Sequence, residues 1–217
     1  MPIQHKFYIN LLDDHDRRYK FLGKNYHRWC AVSRDQVPDE IDKRMVSYWN
    51  YPRKSHLGRC ACFCSHMELY QYIIDNQLND VLIVEDDAVQ VKDFPTEYPT
   101  DGLVYLGGFF AWQRITNKEP VKITFKDGIN CLDPKYRILM TMSIIIPTWE
   151  ICKEIVDNIE MKTRYRAIDV LLGNLAIPKY FEYPGCFVEE GSDSTIATKN
   201  KKSNEFFRWV SIKKPKI

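Results

Sequence analysis

Asp80-Val-Leu-Ile-Val-Glu-Asp-Asp-Ala88 is the stretch around which the chain is organised. Val81 to Val84 run directly into the carboxylates Glu85, Asp86 and Asp87. An unbroken apolar run of this kind suits a strand buried on both faces, as in a parallel sheet. Its acidic end then falls where open α/β sheets bind ligands, beyond the carboxyl ends of the strands. Neighbouring carboxylates repel one another, and each loses hydration on burial. A hard divalent cation resolves both costs. Mg²⁺ or Mn²⁺ takes carboxylate oxygens together with substrate phosphates. The plainer alternative is a solvated loop in which Asp86 or Asp87 caps the next element.

Upstream, Lys6–Leu12 reads as a first strand. Asp13 and Asp14 offer an N-cap for a helix over His15–Tyr26, with Tyr19 and Leu22 on one face. Arg17 and Arg18 sit in its first turns, where the helix terminus already carries partial positive charge. They suit either a solvated face or a phosphate-facing pocket. Trp29–Ser33 reads as a second strand, followed by a polar connection over 34–54 long enough to carry function. Ser55–Gln77 has the pattern of an amphipathic helix and contains Ser65 and His66. Cys60, Cys62 and Cys64 lie within it at a spacing unlike that of zinc sites. On a helix Cys62 points away from the other two, and all three read as small buried apolar residues.

Downstream, Phe94–Tyr98 reads as a turned segment and Gly102–Gly107 as another buried strand. Strand and helix alternate to this point, which predicts βαβ units. Residues 109–136 read as a small surface β excursion, with alternation at Val121–Phe125 and a turn at Lys126-Asp127-Gly128. Tyr136–Ile146 returns to apolar alternation. Pro147 opens a helix over Thr148–Ile159. A further helix spans Arg166–Ala176 and carries Asp169. Lys179–Tyr183 is a strand ended by Pro184-Gly185, and Glu189–Ser194 is a polar turn.

The fold class these pieces predict is α/β, with a mixed, mostly parallel central sheet flanked by helices. The 217 residues form one domain, 1–217, with a core at about 6–197 and a tail at 198–217. Apolar content of 45% and charged content of 28% are those of a globular protein. A net charge of +2 gives no argument for nucleic acid. Seven cysteines, an odd number, fit a reducing compartment better than a disulfide framework. The N-terminus lacks the apolar region of a signal peptide, and no stretch approaches the roughly 18 apolar residues of a membrane span. The expected location is cytoplasmic, as for a bacterial-type or viral cytosolic enzyme or a fragment of a longer chain.

Taken in order, the motifs resemble those of glycosyltransferase family 25, which includes lipopolysaccharide sugar transferases and collagen galactosyltransferases. Phe7-Tyr-Ile-Asn-Leu11 followed by Asp16-Arg17-Arg18 is similar to the family's opening. Gly58 through Cys64-Ser65-His66 is similar to its G-x-x-G-C-x-x-S-H helix, with one glycine in place of two. Val81 to Ala88 is similar to its acidic block, and Asp101–Gly107 to its D-x-I-Y-L-G strand. Met142 through Ile155 is similar to its next strand and helix, without the usual aromatic. Ala167-Ile168-Asp169 is similar to its P-I-D motif, without the proline. Tyr183-Pro184 and Ser192–Ile196 are similar to its closing segments.

The resemblance implies a GT-A (Rossmann-like) fold and a nucleotide-sugar donor, with a UDP-sugar as the first expectation. It implies an inverting displacement onto a hydroxyl of a glycan or glycoconjugate acceptor. Mn²⁺ or Mg²⁺ is expected at Asp87, assisted by Glu85 and Asp86, and Asp169 is the expected general base. Donor contacts are expected from Asn10, Leu11, Arg17, Arg18, Ser65 and His66. Rival readings are a non-catalytic nucleotide- or glycan-binding domain of the same fold, and a sugar-nucleotide nucleotidyltransferase. The latter wants a glycine-rich loop after the first strand, and Asn10–Asp16 has no glycine.

Overall fold

The computed structural model describes residues 2–11, 21–46, 52–112, 125–134, 136–139, 141–189 and 210–211. The strand that decides the fold is β3 (Val81–Glu85), and it is as buried as its composition requires. Val81, Leu82 and Val84 are fully buried and Ile83 nearly so. Side chains alternate across the sheet. Val81 and Ile83 therefore pack with the helices on one face, and Leu82 and Val84 with a second cluster on the other.

Strand β3 lies inside a seven-stranded sheet. Its other members are β1 (His5–Asn10), β2 (His27–Cys30), β5 (Leu103–Tyr105), β7 (Gly128–Cys131), β9 (Ser143–Ile146) and β10 (Lys179–Tyr183). The spatial order is β2-β1-β3-β9-β5-β10-β7. Strands β2, β1, β3, β5 and β10 run in one direction, and β9 and β7 run against them. The sheet is thus mixed with a parallel majority, as predicted. From β1 the chain turns one way to β2 and the other way to β3, which makes the β1–β3 border a topological switch point.

Four helices are described: α1 (Asp39–Arg44), α2 (Arg53–Asp75), α3 (Trp149–Glu160) and α4 (Ile168–Asn174). Pro147 and Thr148 lead into α3, where the apolar residues Ile151, Cys152, Ile155, Val156 and Ile159 face the core. Helix α2 was expected to be amphipathic. Its first half is instead buried on nearly every side, with Ser55, His56, Arg59, Ser65 and His66 buried among the apolar residues. A helix enclosed in this way presents polar groups to two separate surroundings at once. None of the described helices is long and apolar enough to cross a membrane.

Several boundaries differ from the sequence reading. The expected helix His15–Tyr26 cannot reach its end, because residues 21–25 form turns with Gly23 at φ 75° and Asn25 at φ 60°. Phe21 leaves the chain there to stack on Tyr8, with 4.6 Å between ring centroids, while Leu22 is 62% exposed. Residues 12–20 lie outside the described residues. The connection at 34–54 contains a 3-10 turn at Arg34–Gln36, helix α1 and the start of α2. Tyr136–Ile146 is not one element. It splits into β8 (Tyr136–Leu139), which pairs with β6 (Phe109–Trp112), and β9, which enters the main sheet. The excursion at 109–136 is likewise divided: β6 and β8 form a small sheet with β12 (Val210–Ser211), while β7 joins the main sheet beside β10. Strand β4 (Ala88–Gln90) pairs with β11 (Phe187–Glu189), so Glu189 ends a strand. Most of Val121–Phe125 and residues 190–194 lie outside the described residues.

Candidate active site

The insertion of β9 between β3 and β5 has a direct chemical result. Because β9 runs antiparallel to β3, the residues just before it arrive at the carboxyl end of β3. The Glu85 amide donates to the Met142 carbonyl at 2.9 Å. This brings the Thr141 hydroxyl onto Glu85 Oε1. Thr141 is 2% exposed and was not found from the sequence. It carries no motif, and its partner is 56 positions away.

His66 reaches the same carboxylate from α2. Its Nε2 lies 3.5 Å from Glu85 Oε1 and 3.4 Å from Thr141 Oγ1, and its Nδ1 lies 3.4 Å from the Tyr70 hydroxyl. His66 is buried, and Glu85 keeps a quarter of its side chain exposed. Burial pushes the Glu85 carboxyl up. The His66 hydrogen bond and charge, together with the Thr141 hydroxyl, outweigh that effect and hold it below the ordinary carboxylate value. Ser65, the neighbour of His66, is otherwise employed. Its hydroxyl accepts the Val32 amide at 2.8 Å and donates to the Ala61 carbonyl at 2.7 Å, tying α2 to the segment after β2.

On the other side of β3, Asn10 ends β1 and is 1% exposed. Its Nδ2 donates to Asp86 Oδ2 at 2.8 Å, across the border where the chain reverses direction. The carbonyl of Leu11 accepts from Arg28 Nη2 at 3.0 Å, a contact with no signature in the sequence. Arg17 and Arg18 lie outside the described residues.

Glu85, Asp86 and Asp87 do not gather their oxygens into one cage. Consecutive residues leaving a strand point in different directions. Among the described residues, the ligand-type atoms that do converge here are those of Cys62, His66 and Glu85, all within 4.8 Å of one another. Burial holds the Cys62 thiol well above its usual range, and the negative charges of Glu85, Asp169 and Asp87 push it further. Three of the four acids singled out in the sequence therefore act on one sulfur atom. Cys62 packs against the core, and its thiol also lies beside His66 and Glu85 at this acidic edge.

Asp169 lies in the first turn of α4, where its Oδ1 accepts the Val170 amide at 2.7 Å. Its charge is also felt at Tyr105, the last residue of β5. Burial raises the Tyr105 phenol first, and Asp169 adds to it. The Tyr105 hydroxyl is buried and, among the described residues, accepts and donates no hydrogen bond. Beyond it the chain is tight. A side chain at Gly107 would meet the Phe187 carbonyl at 2.8 Å and the Ser143 hydroxyl at 3.1 Å, so glycine alone lets β11 close behind β5.

The carboxyl ends of β1 and β3 thus bring together Asn10 and the acidic turn, while Tyr105 ends β5 and the charge of Asp169 on α4 is felt at its phenol. Anionic groups at a switch point, with positioned donors around them, can hold a cation or a phosphorylated ligand. Residues 3–99 match the model of glycosyltransferase family 25 (LPS biosynthesis protein). The matched segment contains Asn10, Ser65, His66, Glu85, Asp86 and Asp87, whereas Thr141 and Asp169 lie beyond it. No curated protein matches the chain. The family match supports the resemblance carried by the motifs, and with it a glycosyltransferase enzyme.

Proposed function

We propose, from the match of residues 3–99 to the family 25 model, that the chain is a metal-dependent, inverting glycosyltransferase. It moves a sugar from a nucleotide-sugar, with a UDP-sugar as the expected donor, to a hydroxyl of a glycan or glycoconjugate. The observation that carries this reading is the acidic turn at the carboxyl end of β3, with Glu85 held by Thr141 and His66 and Asp86 held by Asn10.

The residues fit a hard divalent cation. His66 and Thr141 hold the Glu85 carboxyl below its ordinary value against its own burial, and among the described residues both of its side-chain contacts use Oε1, which leaves Oε2 toward an incoming group. Asp87 stands two residues further along the same turn. Mn²⁺ or Mg²⁺ held there would neutralise charge on a departing nucleoside diphosphate. Asn10 anchors Asp86 and keeps the turn against β1. Leu11 follows on the nucleotide side, and the motif resemblance adds Arg17 and Arg18, which lie outside the described residues, as donor contacts. His66 and Thr141 act through Glu85, and Ser65 fixes the helix that carries His66.

Asp169 is the general base in this scheme. Its carboxylate accepts the proton of the acceptor hydroxyl as the new C–O bond forms at the anomeric carbon. The bond from that carbon to the diphosphate oxygen breaks, and the leaving group takes the electron pair. Attack and departure on opposite faces give inversion.

Calorimetric titration of UDP, GDP and their sugars, with Mn²⁺ and with chelator, tests the donor half. Metal-dependent binding of one nucleotide that disappears in Asp87→Asn is expected. Equal binding by wild type and Asp87→Asn would remove the metal assignment. Absence of binding by every nucleotide tried would remove the donor site.

A further inference from the structure

Helix α2 carries a second group of metal-ligand side chains, away from the acidic edge. His56 and Cys60 are four residues apart and so lie on one face of the helix. Asp42 of α1 meets them. Its Oδ1 is 2.9 Å from His56 Nε2, and one ligand-type atom from each of Asp42, His56 and Cys60 lies within 4.8 Å of the other two. His56 is 5% exposed and Cys60 fully buried. Two residues along a helix is a rotation of about 200°, so Cys60 and Cys62 face different surroundings.

A salt bridge that docks α1 on α2 accounts for only part of this. Arg53 grips the Asp42 carboxylate with its guanidinium, and His56 adds a third contact. That account gives no reason for the Cys60 thiol to converge on the ring nitrogen and the carboxylate.

We propose that Asp42, His56 and Cys60 form a binding site for a zinc-class transition metal that clamps α1 to α2. Sulfur, imidazole nitrogen and carboxylate oxygen are the donors zinc takes, and they exclude Mg²⁺ and Ca²⁺. Zinc bonds of about 2.0–2.3 Å place tetrahedral ligands roughly 3.5 Å apart, so Asp42 Oδ1 and His56 Nε2, 2.9 Å apart, must part slightly as the metal enters. Cys60 brings a thiol, which must lose its proton to bind a metal. Binding replaces that proton with the metal, and one proton leaves to solvent. Arg53, 63% exposed at its side chain, can turn to water without leaving a buried charge behind. The site is independent of the transferase reading.

The test uses the full chain, stripped with chelator and titrated with Co²⁺ and then Zn²⁺. One equivalent of Co²⁺ should give a thiolate-to-metal absorption band, and Zn²⁺ should displace it and raise the melting temperature. Cys60→Ser and His56→Gln should each lose the band, and Cys62→Ser should keep it. Arg53→Ala should bind several-fold more tightly, because a competing cation is gone. A folded wild type with no band overturns the proposal. So does a band that survives Cys60→Ser or His56→Gln, or one lost in Cys62→Ser, which would assign the metal to the acidic edge. Should Cys60→Ser fail to fold, His56→Gln decides alone.

Discussion

Helix α2 twice presents a histidine and a cysteine to a carboxylate from another element. On one face are His56 and Cys60, with Asp42 brought by α1. On another are Cys62 and His66, with Glu85 brought by β3. Spacing and composition are alike, yet the two groups sit in opposite fields. Around Cys62 the nearby charges are negative, from Glu85, Asp169 and Asp87. Around Cys60, Asp42 is offset by Arg59 and Arg53. The first group lies at the carboxyl edge of the sheet, where three strands end. The second lies between two helices, with Cys60 sealed from solvent. What separates a site for chemistry from a site for stability is therefore the topology that brings the third residue, not the pair on the helix.

If that division is right, variants on the acidic side should change rate and leave stability nearly intact. The largest effect is expected for Asp169→Asn. Loss of a general base costs about 10²–10⁴ in kcat, while calorimetric donor binding should be unchanged. Retention of transfer within a few-fold would place the base elsewhere. Next is Thr141→Val, which keeps the shape of the side chain but removes its hydroxyl from Glu85. Outer partners of metal ligands are worth about 10–100-fold in affinity. A weakening of Mn²⁺-dependent donor binding in that range is expected. Unchanged metal dependence would mean that Thr141 serves packing alone.

Thr141 also marks how far the sequence could be read. Strand β3 was legible because Val81–Val84 permits little else, and Lys179–Tyr183 because it is bounded by Pro178 and Pro184. Helix α2 was found within two residues at each end. Its enclosure was not, since buried Ser55, His56 and Arg59 resemble a solvated stripe until their partners are known. The acids at the end of β3 were recognisable as a group. That Glu85 would meet Thr141 depends on β9 entering the sheet antiparallel, and that Asp86 would meet Asn10 depends on β1 pairing in parallel with β3. Nothing local in Tyr136–Ile146 announces that the segment breaks in two. Long-range pairing decides it, and long-range pairing is what a periodicity does not contain.

On the side of α2 that holds Asp42, the expectation reverses: stability should change and turnover should not. Asp42→Asn removes the charge that holds Arg53 and His56. Because the carboxylate is partly open to solvent, the loss should be modest, about 1 kcal/mol, read as a lower melting temperature with kcat unaltered. Its pH dependence gives the sharper test. The Arg53 hydrogen bond leads in holding the Asp42 carboxyl below its ordinary value of 3.8; burial opposes it, and His56 adds to the lowering. A carboxyl depressed in the folded state stabilises the fold above its unfolded value, and that stability is lost as pH falls through the folded one. The gap between wild type and Asp42→Asn should therefore be constant at neutral pH and close as the solution is taken below 3.8. Chemical denaturation across that range measures it. A gap that persists in acid would show that Asp42 acts by shape rather than charge. A fall in kcat in the same variant would show that the two faces of α2 are coupled, and the division between them would fail.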